Sequence, residues 1–213
     1  LDPDIPIATC SATDCAGCPV PAVIHCHFRP KDLLHFLLIS LPAFLIGGSG
    51  VLGFGFWPLV VWVAMVVGFF GFLEIRVMCS HCPHYAEVGG TLSCWANHGS
   101  PKPWKYRPGP MSPLENAVFF GGLGAVFVYP LVFLAIGHSW FLLTLYVMTS
   151  SAFFVTLKMF LCSRCMNFAC PLNGVGEAGR ELFFERNPSV AGAWQPPGLG
   201  GIQSQGVSRR FPC

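Results

Sequence analysis

Two long stretches of the chain contain no charged residue. Leu33 to Leu73 is 41 residues without Asp, Glu, Lys or Arg, and Asn116 to Leu157 is 42. A helix needs about 20 apolar residues to cross the hydrocarbon core of a bilayer, so each stretch holds two crossings. Breaker-rich points divide them, at Gly47-Gly48-Ser49-Gly50 and Gly53-Phe54-Gly55 in the first and at Gly137-His138-Ser139 in the second. The pattern predicts spans near 33–52, 56–77, 116–136 and 139–160, joined in pairs by tight turns. The fold class expected is an all-α integral membrane protein with four transmembrane helices arranged as two parallel-repeated helical hairpins.

Composition agrees. Of 213 residues, 53% are hydrophobic and only 10% charged, where a soluble domain carries roughly 25% charged residues. Four crossings put the segment before span 1, the loop between spans 2 and 3, and the segment after span 4 on one side. All twelve basic residues fall there: Arg29 and Lys31; Arg76, Lys102, Lys105 and Arg107; Lys158, Arg164, Arg180, Arg186, Arg209 and Arg210. The positive-inside rule makes that side cytosolic, with both termini, in a cytoplasmic membrane of bacterial or archaeal type. A net charge of +2 spread this thinly offers no basic stripe, so nucleic acid is not an expected partner. The expected partners are the lipid bilayer, a cytosolic redox or metal-donor protein, and a second copy of the chain packed through its small-residue stripes.

Four regions follow. Residues 1–30 form a Cys/His-rich cytosolic segment without a visible signal peptide. Residues 31–113 form the first hairpin with its cytosolic loop, and 114–186 the second with a short surface helix over Glu177 to Arg186. Residues 187–213 are Pro/Gly-rich and polar and are expected to be disordered.

The eleven cysteines carry the chemistry. Cys79-Ser80-His81-Cys82 follows span 2 and Cys162-Ser163-Arg164-Cys165 follows span 4, at an offset of 83 residues. A third cysteine trails each pair, Cys94 and Cys170, and an aromatic residue stands three after each second cysteine, Tyr85 and Phe168. Two residues between cysteines let both sulfurs turn toward one metal, about 2.3 Å away if it is zinc. Cys79, Cys82, Cys162 and Cys165 are therefore the first-choice ligands, brought together if spans 2 and 4 pack side by side. Cys94, Cys170 and His84 are additional candidates. The duller reading of each pair, as membrane-boundary or palmitoylated cysteines, is weakened by their matching positions.

Cys10-x4-Cys15-x2-Cys18-Pro19, followed by His25-Cys26-His27, is either a second metal site or a loose tail with incidental thiols. The run Phe168-Ala169-Cys170-Pro171-Leu172 resembles the Cys-Pro motifs of membrane-bound polyferredoxins of the quinol-dehydrogenase type, which are also four-span proteins. The resemblance covers those five residues, without the full ferredoxin run. It implies an iron-sulfur cofactor and electron transfer.

The functional expectation is a cytosolic, cysteine-ligated metal centre, iron-sulfur or zinc, in an electron-transfer or metal-site accessory subunit. A soft-metal transporter for Cu, Hg or Zn is the rival, weakened because no cysteine lies mid-span. A membrane thiol-disulfide oxidoreductase is a third reading. Glu74, the one acidic residue inside a predicted span, is expected to reach toward headgroups or pair with Lys158. No phosphate loop, nucleophile elbow or His-Glu-x-x-His motif supports hydrolysis.

Overall fold

The protein is described from a computed structural model covering residues 5–195. Among the described residues it is helical, without strands, and four helices are long and apolar enough to cross a membrane: Pro30–Leu52, Phe56–His81, Pro113–Ile136 and Trp140–Arg164. Only 11% to 22% of each helix's most apolar window is buried within the chain. The remaining apolar surface, including Leu38, Leu45, Trp57 and Phe141, suits contact with lipid.

Local chemistry sets the helix ends. The first span starts at Pro30, whose fixed φ and missing N–H suit the first helical position, with Asp32 in the first turn. It continues straight through Gly47-Gly48-Ser49-Gly50, and the chain turns only at Gly53-Phe54-Gly55, where Gly55 has φ 118°. The third span has a reciprocal cap: Glu115 N–H donates to Ser112 Oγ at 3.3 Å and Ser112 N–H to Glu115 Oε2 at 2.9 Å. Spans 2 and 4 run further than predicted, to His81 and Arg164, and so carry Cys79 and Cys162 on their own final turns.

Spans 2 and 4 are not side by side. Span 1 packs against span 4, span 3 and span 2, and span 3 also meets spans 2 and 4. The 1–3 pair is thus the shared core, with 2 and 4 flanking it. Close approach comes from small residues: a Cβ on Gly50 would overlap Leu134, and one on Gly122 would overlap the Phe69 ring. Trp62 donates its indole N–H to Val126 O at 2.9 Å, tying span 2 to span 3. Aromatic rings fill the centre, with Phe44 5.7 Å from Phe127, and Phe127 stacked on Phe153 at 6.0 Å.

The remaining segments gather in one layer over a single end of the bundle. Ile7, Val20, Ile24, Met166, Phe168, Val175, Phe183 and Val190 form its apolar centre. Ser11 N–H donates to Arg186 O at 2.9 Å, His25 N–H to Arg164 O at 2.9 Å, and Arg107 N–H to Ser80 O at 2.8 Å. The N-terminal segment is therefore docked rather than a loose tail. The helix Glu177–Arg186 forms as expected, but Phe183 is buried in this layer rather than facing lipid. The expectation of disorder from residue 187 fails over Pro188–Trp194, a helix held by the buried Val190; residues 196–213 lie outside the described residues.

Candidate metal centre

Cys79, Cys82, Cys94, Cys162, Cys165 and Cys170 all line one cavity of about 260 Å³ at the end of the bundle beneath this layer. All four spans contribute to its floor, through Phe36 and Phe44, Phe70 and Glu74, Phe119 and Leu123, and Phe153 and Leu157. The six cysteines are free thiols.

The two Cys-x-x-Cys turns are built alike. Each is one 3-10 turn, Cys79–His81 and Cys162–Arg164. Cys82 N–H donates to Cys79 O at 2.9 Å, and Cys165 N–H to Cys162 O at 3.4 Å. The second cysteines leave their turns with nearly the same backbone, φ −76° ψ 138° for Cys82 and φ −82° ψ 129° for Cys165. Ser80 Oγ donates to Arg76 O, and Ser163 Oγ to Met159 O, both at 2.7 Å. His84 N–H donates to the Cys82 sulfur, as Asn167 N–H does to that of Cys165. The offset of 83 positions thus relates local geometry as well as residue identity. A π-helical turn precedes each pair, Phe69–Leu73 and Leu157–Leu161, a local widening often found near functional sites.

Cys94 and Cys170 arrive on loops. Leu92 N–H donates to Ser100 O at 2.8 Å and Gly99 N–H to Leu92 O at 2.9 Å, closing the loop that carries Cys94. Asn97 links two sulfurs, its backbone N–H reaching Cys94 Sγ at 3.2 Å and its Nδ2 reaching Cys79 Sγ at 3.3 Å. The Cys170 sulfur accepts from the backbone of Leu172 and Asn173, and the Trp95 side chain hydrogen-bonds Cys165. N–H groups aimed at sulfur orient thiolate ligands and tune the metal they hold. Asn97 and Trp95 escape sequence reasoning because neither belongs to a spacing motif.

Burial dominates the electrostatics. It pushes the Cys82 thiol well up, and Cys165 and Cys170 to about 12, with neighbouring cysteines adding to the shift; Cys94 rises to about 11 against the backbone N–H groups of Asn97 and Ala96, with Glu74 adding to the rise. His84 is also buried against the cavity, which lowers it to about 4, helped by His27 and Lys102. The shift runs opposite to the depressed pKa of cysteines that serve in thiol exchange. A cation among them would reverse the balance, since a coordinating thiol is deprotonated outright.

Glu74 corrects its expectation. It is 7% exposed, lines the cavity, and hydrogen-bonds Asn97, while its Oε2 has no partner. Lys158 instead donates to Leu172 O at 3.0 Å and Asn173 O at 2.9 Å. The π turn Phe69–Leu73, just before Glu74, sets which way the next turn faces, which nearness to the helix end does not reveal.

Cys10, Cys15 and Cys18 stand apart. With Cys26 they line a separate gap of about 20 Å³ between the N-terminal segment and the C-terminal helices. Burial raises Cys26 to about 12, with Cys18, Cys10 and Cys15 adding to it.

Among the described residues, no three or more His, Cys, Asp or Glu side chains already stand as a set that could hold one metal ion. No family model, curated protein or solved structure matches the chain.

Proposed function

We propose that this is a membrane electron-transfer protein whose bundle-end cavity holds an iron-sulfur centre on thiolates from both halves of the chain. The observation that carries the reading is the cavity itself. Six thiols surround about 260 Å³, whereas one water needs only about 15 Å³. Four sulfurs gripping a single zinc at 2.3 Å would stand roughly 3.8 Å apart, a set that needs far less room than this cavity offers. A polynuclear core asks for more widely spaced ligands around a larger space.

Iron-sulfur clusters take four thiolates, and Cys79, Cys82, Cys162 and Cys165 are the leading set. Cys94, Cys170 and His84 are further donors on the same wall. The N–H groups on these sulfurs and the aromatic floor are the levers by which a protein sets such a centre's potential. The positive-inside rule assigns this end to the cytosol. The partners this reading implies are a membrane quinone and a cytosolic redox protein, between which the centre would pass electrons. The transporter reading is weaker because, beyond a floor that includes Phe44, the space between the spans is occupied by Phe127 and Tyr146.

The test is iron and acid-labile sulfide measured on anaerobically purified protein. Equal amounts of both are expected, and Cys79→Ser and Cys162→Ser should each lose the whole centre. Zinc at the cavity without sulfide, or full iron retained in either variant, would overturn the reading.

A further inference from the structure

We infer that Cys10, Cys15, Cys18 and Cys26 form a second, mononuclear site, taking one zinc-class ion in tetrahedral thiolate coordination and fastening the N-terminal segment to the C-terminal helices. The four thiols line one gap of about 20 Å³, close to the roughly 15 Å³ that a single small occupant needs. The inference does not depend on what the larger cavity holds.

The backbone prepares three separately anchored approaches to the gap. Cys10 N–H donates to Ile7 O at 2.8 Å, and the next residue, Ser11, is tied to Arg186 through its N–H at 2.9 Å and its Oγ at 3.2 Å. Cys15 to Cys18 is a tight turn, closed by Cys18 N–H on Cys15 O at 3.2 Å and braced by Ala16 N–H on Asp14 Oδ1 at 3.0 Å. Gly17 has φ +67° there with open space around it, so backbone conformation rather than crowding calls for glycine. Cys26 follows His25, whose N–H is held by Arg164 O at 2.9 Å.

Chemistry favours a metal over the other uses of four thiols. Four thiolates on one divalent cation leave two negative charges, and Arg186 lines the gap while Arg29 lies close enough to favour charge on Cys26. His27 is engaged elsewhere, its Nε2 2.9 Å from Ile5 O, which leaves sulfur as the donor set. The thiols surround the gap without yet converging on one point. Side-chain rotation on these anchored turns would bring each sulfur to about 2.3 Å from the ion. Residues 5–29 contribute only Ile7, Val20 and Ile24 to the buried apolar centre of the layer. A bound ion would supply the cohesion that a core so small lacks.

The experiment uses the whole protein in detergent, with zinc, iron and sulfide measured per chain and cobalt(II) exchanged for zinc. One zinc per chain and a tetrahedral thiolate cobalt spectrum are expected. Cys15→Ser and Cys26→Ser should each lose that zinc while keeping iron and sulfide; Cys26→His, which preserves a ligand and guards against misfolding, should keep it. Wild-type protein without zinc, or Cys26→Ser with full zinc, would overturn the inference. Wild-type protein with its zinc but without iron and sulfide would count against the larger centre alone.

Discussion

The two thiol-lined regions differ in scale and construction. One encloses about 260 Å³ and the other about 20 Å³. The larger stands on the final turns of two membrane helices, where Cys79 and Cys162 belong to the spans themselves. The smaller is assembled from turns closed by local hydrogen bonds and tied to the distant carbonyls of Arg186 and Arg164. Cysteine count does not separate them, since each has enough sulfur for a tetrahedral metal. Scaffold does: rigid helix ends can keep a large space open, whereas loops close on a small one unless something occupies it.

Phe183→Ala should expose that difference most strongly. Phe183 is fully buried at the centre of the extramembrane layer, with its ring 5.2 Å from Phe168. Its loss should cost about 3–5 kcal/mol locally. Hydrogen exchange should show residues 5–29 opening while iron at the bundle end is retained. Equal loss at both places would mean that the two regions are one cooperative unit.

Asn97→Ala should act the other way. Removing a donor that serves Cys79 and hydrogen-bonds Glu74 should weaken metal retention in the large cavity roughly 10- to 100-fold. The rate of iron loss to a chelator measures it, and zinc content should not change. Gly122→Leu forces a side chain into the Phe69 ring just ahead of the first cysteine turn. A destabilisation of about 1–3 kcal/mol is expected, read as a lower melting temperature in detergent. Gly121→Leu is the control, since nothing stands near its added Cβ. The smallest effect belongs to Trp62→Phe, which removes one interhelical hydrogen bond at about 0.6 kcal/mol and should leave both metals untouched.

The four crossings were legible because charge-free runs of this length have few other uses. Their ends were less so: helix continues past Arg76 and Lys158, which the charge pattern put in the last turns of the spans. The matching cysteine pairs forecast matching turns, but a sequence offset carries no information on packing, and spans 2 and 4 flank the 1–3 pair instead of touching along their length. Glu74 was misplaced because sequence gives depth in the bilayer, while the π turn at Phe69–Leu73 sets which way the next turn faces. Cys26 carried a signal in His25-Cys26-His27, yet its closeness to Cys10 depends on a chain path that only folding supplies. Asn97 left no trace beyond being an asparagine near Cys94.

Mössbauer spectroscopy on protein grown with isotope-enriched iron tests the central claim most directly. The account predicts the quadrupole doublets of thiolate-ligated, sulfide-bridged iron in the wild-type protein, and their complete loss in both Cys79→Ser and Cys162→Ser. Spectra without bridged iron, or bridged iron surviving intact in either variant, would contradict a centre shared between the two halves.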